Sequence, residues 1–165
     1  MSTIKLHLVC TKAEIQTVEA LAKTIWKEHY VPIWGNVQVA YMLIHFQSKN
    51  AIHHQIQEGY RYYLIQNDTK SLGYFAIQLR ETELFLSKIY LLSESRGKGF
   101  GKIALTFIET LAKEKNLPKI SLFVNKKNHD TIGIYQKIGF TIATPIVQDI
   151  GNGFTLDDYI MEKPL

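Results

Sequence analysis

The stretch Leu91-Leu92-Ser93-Glu94-Ser95-Arg96-Gly97-Lys98-Gly99-Phe100-Gly101-Lys102 leaves an apolar run, passes three glycines at alternate positions and opens straight into a helical pattern. The run before it, Glu83 to Leu92, reads as a strand. After it Ile103, Phe107, Ile108 and Leu111 recur every three or four residues, which predicts an amphipathic helix from Phe100 to Lys115 closed by Asn116 and Pro118. Glycines let backbone N–H groups approach a ligand with no Cβ in the way. The unpaired donors and positive dipole end of the helix then make an anion site, and Lys98 and Lys102 add charge beside it. A pyrophosphate is a natural occupant. Two phosphate loops do not fit: in a Walker A loop the second glycine would fall on Lys102, and in a dinucleotide fingerprint Gly101 comes one position early with no acid in Phe123 to Lys126. The plain alternative is a glycine-rich turn with exposed lysines.

Working outward, Ile120 to Val124 reads as a strand, Asn128 to Lys137 as a helix, and Phe140 to Ala143 and Thr155 to Met161 as closing strands. Such alternation implies at least one parallel pair through a right-handed crossover. Upstream, Tyr60 to Gln66, Leu72 to Arg80 and Glu83 to Leu92 form an antiparallel meander, its turns at 67–71 and at Glu81-Thr82. Ile4 to Val9 alternates as a first strand. Thr11 with Glu14 then has the capping-box spacing, and Ile15, Val18, Leu21, Ala22, Ile25 and Trp26 form a buried stripe, with Pro32 expected to stop the helix near Tyr30. A helix from Asn36 to about Gln47, apolar on two sides, and a short one near Ile52 to Glu58 follow. The expected class is α/β (α+β): one domain over residues 1–165, with a mixed, mostly antiparallel sheet of six to seven strands and helices on both faces.

The 165 residues, 46% hydrophobic and 21% charged, suit one soluble domain with a packed core. Cys10 is the only cysteine, so no intramolecular disulfide forms, which fits a reducing compartment. The first residues lack the features of a secretory signal and no run of about 18 apolar residues occurs, so a cytoplasmic location is expected and a membrane span is not. A net charge of +4 suits an anionic ligand, but no basic–aromatic cluster marks a nucleic-acid module. His53-His54 has no cysteine or acid at ligand spacing, so no metal is expected.

Arg96-Gly97-Lys98-Gly99-Phe100-Gly101 resembles the Arg/Gln-x-x-Gly-x-Gly/Ala signature of the GCN5-related N-acetyltransferase (GNAT) superfamily. The segment from Asn125 to Phe140, Asn-Lys-Lys-Asn-His-Asp-Thr-Ile-Gly-Ile-Tyr-Gln-Lys-Ile-Gly-Phe, resembles that family's Asn-x-x-Ala-x-x-x-Tyr-x-Lys-x-Gly-Phe pattern. The two stand in order, one helix and one strand apart, and cover the C-terminal half; the N-terminal half agrees only in its order of elements. The resemblance implies transfer of an acetyl group from acetyl-CoA to a primary amine by direct attack. It places the pantetheine arm against the backbone of Ile89, Tyr90 and Leu91 on a strand that splays at a bulge. It places the pyrophosphate on Arg96 and the amides of Gly97, Lys98, Gly99, Phe100, Gly101 and Lys102. Tyr135 matches the general acid for the departing thiolate, and Asn128 matches a residue that bonds the cofactor and is expected also to cap its helix.

The base is not given by the resemblance. An amine of pKa near 10.4 costs about 4–5 kcal/mol to deprotonate at pH 7, and many relatives use a glutamate whose positions fall here on Phe85 and Ser87, a departure. Glu83, Glu28 or His29 acting through water remain as candidates. The missing glutamate also keeps open a non-catalytic acetyl-CoA-binding regulator, which the intact Tyr135 opposes. For the acceptor, Glu28, His29, Tyr30 and Trp34 crowd the end of the first helix and Tyr41 or Phe46 can supply an opposing wall; aromatic surfaces with an acid suit a cationic amine. The expected partner is a small-molecule amine or a peptide amine, and a homodimer is allowed for.

Overall fold

The computed structural model describes residues 3–165. After strand β1 (Ile4–Leu8), helix α1 (Lys12–Phe46) opens on the expected capping box. The Thr11 hydroxyl accepts from the Glu14 N–H at 3.2 Å, and the Glu14 carboxylate accepts from the Cys10 and Thr11 N–H groups at 2.9 Å each. Those two backbone donors, Cys10 foremost, hold the Glu14 carboxyl at about 2.

Pro32 does not end this helix near Tyr30. Its missing N–H orphans the Glu28 carbonyl, but both residues are exposed, so water can take that bond. The break comes at Gly35, whose φ of +80° no side-chain-bearing residue adopts cheaply, and residues 36–46 leave it in a new direction. The buried stripe also runs further than Trp26, on to Tyr30, Val39 and Met42.

Helix α2 (Lys49–Gln57) begins three residues before Ile52, capped by Ser48. The meander follows as read: β2 (Tyr60–Asn67), β3 (Lys70–Leu79) and β4 (Leu84–Leu91). Then come α3 (Phe100–Glu114), β5 (Lys119–Asn125) and α4 (His129–Lys137). The closing strands are far longer than their sequence patterns suggested: β6 (Thr141–Gly151) and β7 (Phe154–Pro164) form a hairpin turning at Asn152-Gly153, both with positive φ. Phe140 lies outside β6, buried against the Tyr135 ring.

The seven strands form one sheet in the order β1-β2-β3-β4-β5-β7-β6. Only β4 and β5 run parallel, joined by α3 as the crossover. β6 is an edge strand and mostly exposed, which is why Pro145 is tolerated within it. Residues paired across antiparallel strands share a face, so the sheet separates two cores. On one, Ile65, Phe75, Ile77, Leu86 and Leu122 pack with Ala104 and Ile108 of α3 and Tyr135 of α4. On the other, Tyr62, Leu64, Tyr74 and Ala76 pack with Ile25, Trp26 and Tyr30 of α1. That second core has a polar thread: the Trp26 indole donates to the Tyr74 hydroxyl at 3.2 Å, which donates to Gln47 Oε1 at 2.5 Å.

Candidate active site

The parallel pair holds for three residues only: Leu84 with Ile120, Phe85 with Ser121 and Leu86 with Leu122. Beyond Leu86 the two strands part, and the backbone of β4 loses its partner on that edge. At the same point β3 pairs Ile77 with Leu86 but Ala76 with Lys88, so Ser87 is an extra residue, a bulge. The opening forms a cleft of about 740 Å³ that runs through the sheet from α4 to α2.

Of the residues singled out in the sequence, Ile89, Tyr90, Leu91, Arg96, Asn128, Tyr135, His29, Tyr30 and Trp34 all line this cleft. Gly97 and Gly99 carry positive φ in the exposed turn just beyond Arg96. Gly99 caps α3 with no side-chain hydrogen bond, so the first-turn amides of α3 have no intrahelical partner. The Arg96 side chain folds back, Nε donating to Leu91 O at 3.2 Å.

Three residues depart from expectation. Glu28 is exposed and outside the cleft. Tyr41 also lies outside it; its phenol donates to Ile150 O at 2.7 Å and fastens α1 to β6. Asn128 occupies the cap position of α4 but makes no side-chain cap there. Its amide Nδ2 instead reaches His29 Nε2 at 3.1 Å. Burial, with the Arg96 guanidinium adding to it, lowers the pKa of His29, consistent with a neutral ring whose Nε2 accepts. His54 does have an acid neighbour, Glu58 at 2.9 Å. Among the described residues, however, no group of three metal-ligating side chains forms.

Tyr30 is no loose aromatic at a helix end. It is buried, stacks on Trp34 at 4.2 Å and shares a hydrogen bond of 2.8 Å with the Tyr90 hydroxyl. Tyr135 is buried on the opposite side of the cleft, and burial pushes its phenol well above the usual range, with the neighbouring Tyr30 adding to the effect. Both phenols therefore stay protonated in neutral solution.

The sequence reading missed Asp158. It pairs with Asn125 across β5 and β7, is buried, and lines the cleft. Its Oδ1 has no hydrogen-bond partner among the described residues, and neither has the Trp34 indole N–H. Burial first, then the adjacent Asp157, push its carboxyl up to about 6. A buried carboxylate in the wall of a cleft, with one oxygen unpartnered and its pKa raised to about 6, is the profile of a proton acceptor.

A sequence model of the acetyltransferase (GNAT) family matches residues 20–140, and the chain belongs to that family, whose members use acetyl-CoA as the acetyl donor. It is 31% identical over 94 residues to a protein of Bacillus subtilis (strain 168) whose assigned name is ribosomal protein bS18-alanine N-acetyltransferase; the match spans 56% of this chain and 62% of that relative's length. Among solved structures it is similar to the PaiA N-acetyltransferase of Thermoplasma acidophilum in complex with coenzyme A, at 21% identity and a TM-score of 0.83, covering 99% of each chain. It is also similar to the ribosomal-protein-S18-alanine N-acetyltransferase of Escherichia coli, at 17% identity and 0.74, covering 98% of this chain and 94% of that one. No helix among the described residues is long and apolar enough to cross a membrane.

Proposed function

We propose that the protein transfers the acetyl group of acetyl-CoA to a primary amine by direct attack within this cleft. One observation carries the reading: the Tyr135 phenol and the unpartnered Asp158 carboxylate line the same opening, beside β4 backbone that has lost its strand partner. The freed backbone of Ile89 to Leu91 would hold the pantetheine arm as an added strand does, and Arg96 with the amides of Gly97 to Lys102 would hold the pyrophosphate.

In this reading Asp158 takes one proton from the bound ammonium, and the freed nitrogen lone pair then bonds to the thioester carbon. A backbone N–H near Tyr90 or Leu91 faces the oxygen on which charge develops. As the carbon–sulfur bond breaks, Tyr135 gives its proton to the sulfur and regains one from the nitrogen, which leaves the neutral amide, and Asp158 returns its proton to solvent. His29 acts indirectly, by fixing the Asn128 amide. Calorimetric titration with acetyl-CoA, and release of free thiol in the presence of a panel of primary amines, test this. Binding together with amine-dependent thiol release that falls in Tyr135→Phe is the expected result; release that ignores both the amine and Tyr135 would overturn it.

A further inference from the structure

Lys88 is a charged residue in the cleft wall that the transfer chemistry does not use. The bulge decides where it points. Simple alternation from Leu86, which faces α3, would send Lys88 into the α3 core. The extra residue at Ser87 reverses this: Lys88 pairs with Ala76, so it faces α1 alongside Tyr62 and Tyr90, while Ile89 packs on the α3 side. There its ammonium lies 5.6 Å from the centre of the Tyr62 ring and donates to Ser87 Oγ at 2.9 Å. No carboxylate pairs with it among the described residues. Burial lowers its pKa to about 8, so it is still mostly charged in neutral solution.

Asp158 faces the same side, since Leu156, two residues before it on β7, packs into the α1 core. The cation that acts on Asp158 is Lys126, whereas Lys88 is shifted by burial alone, so the two cleft charges do not neutralise each other. Around them, Glu58 pairs with His54 and Arg80 lies 4.1 Å over Phe85, both exposed, and Arg96 and Asp130 stand toward α4. The wall that receives the acceptor thus presents a carboxylate in need of a cation and, apart from it, a cation in need of an anion. β4 and β7 flank β5, so their backbones are at least two strand spacings, about 10 Å, apart. Lys88 and Asp158 form no ion pair with each other and sit on strands separated by β5, so a ligand that meets both must carry its two charges on separate groups.

We propose that the acceptor is an amine whose own molecule carries an anionic group several bonds away, a carboxylate or a phosphate, held by Lys88 and Ser87 while Asp158 receives the amine. This rests on the acetyl-transfer reading above. A like-charged diamine would place its second ammonium against Lys88, which disfavours it.

The test compares four amines of matched length with acetyl-CoA: 4-aminobutyrate, 3-aminopropyl phosphate, butylamine and 1,4-diaminobutane. The two acidic amines should exceed butylamine in kcat/KM by about 10-fold or more, with the diamine lowest; their ratio tells carboxylate from phosphate. Lys88→Met should level the series, Lys88→Glu should favour the diamine, and Lys88→Arg should keep the wild-type order. A wild-type preference for the diamine, or a series unmoved by Lys88→Met, overturns the proposal. Should these small probes turn over too slowly to rank, their protection against thermal unfolding in the presence of coenzyme A must show the same Lys88-dependent order, and equal protection overturns it. Loss of acetyl-CoA binding, or Tyr135-independent thiol release, would instead sink the transfer reading itself.

Discussion

Asp158→Asn keeps the shape of the side chain and removes its capacity to take a proton. An acceptor amine near pKa 10.4 is free in about one molecule in 2,500 at pH 7, equivalent to about 4.6 kcal/mol. Asp158, with its carboxyl at about 6, is roughly nine-tenths ionised at that pH and, in the proposed role, lets the enzyme start from the abundant ammonium form. Without it the enzyme must wait for the free amine. At pH 7 kcat/KM should therefore fall by at least about 100-fold, and by no more than about 2,500-fold, the ceiling set by the free-amine fraction. The deficit should shrink about tenfold per pH unit above 7 and nearly vanish by pH 10. Thiol release followed from pH 5.5 to 10, as the ratio of wild type to variant, measures this; the ratio cancels the titration of Lys88, present in both. Stability moves the other way. A carboxyl raised in the fold favours the protonated protein, so wild type loses stability as pH rises from the unfolded value of about 3.9 through about 6. The variant should unfold at a higher temperature at pH 7 and at nearly the same temperature below pH 4. A rate deficit that is the same at every pH, or unaltered turnover in a folded variant, would refute the assignment.

Tyr135→Phe should lower kcat by about 10- to 1,000-fold while the acetyl-CoA Kd, read by calorimetry, stays within about twofold. Gly99 has φ +85° with open space around its Cβ position, so Gly99→Ala should cost about 1 kcal/mol of backbone strain and bind acetyl-CoA nearly normally. Gly99→Glu adds a negative charge at the turn and should abolish calorimetric binding in a protein that still folds. Tyr74→Phe leaves the buried Trp26 N–H and Gln47 oxygen without their shared partner and should cost about 2–4 kcal/mol in urea unfolding, with the acetyl-CoA Kd unmoved.

The elements proposed to hold the donor were legible in the sequence because their cues are local. A strand, alternating glycines, a helix and then Tyr135 follow one another along the chain, and the backbone amides come with the turn whatever the side chains are. The acceptor half was not. Asp158 stands beside Asp157 and near Glu162 and Lys163, and reads as a solvated charge until β7 is seen inserted between β5 and β6. Nor does any glycine or proline mark the bulge: Leu84 to Leu91 reads as one unbroken strand, so the direction of Lys88 could not be inferred. β6 was underestimated because an exposed edge strand has little need for apolar alternation. Tyr30 was read as lying off the stripe because the expected stop at Pro32 cut short a periodicity that continues to Gly35.

The extra residue at Ser87 behaves like a frameshift written in side-chain direction. Were Ser87 kept but drawn into a regular ladder, Lys88 and Tyr90 would turn toward Ala104 and Ile108 while Ile89 and Leu91 turned toward Trp26, exchanging the contents of both cores at once. Point changes at Ser87 or Lys88 disturb nothing of the kind, because both side chains end in the cleft and the strand keeps its phase. Loss of Ser87 itself would remove the bulge and leave Lys88 opposite Ala76, with the contents of both cores as they are. What the bulge carries is phase, and it is the phase that turns Lys88 into the cleft while Ile89 stays with the α3 core.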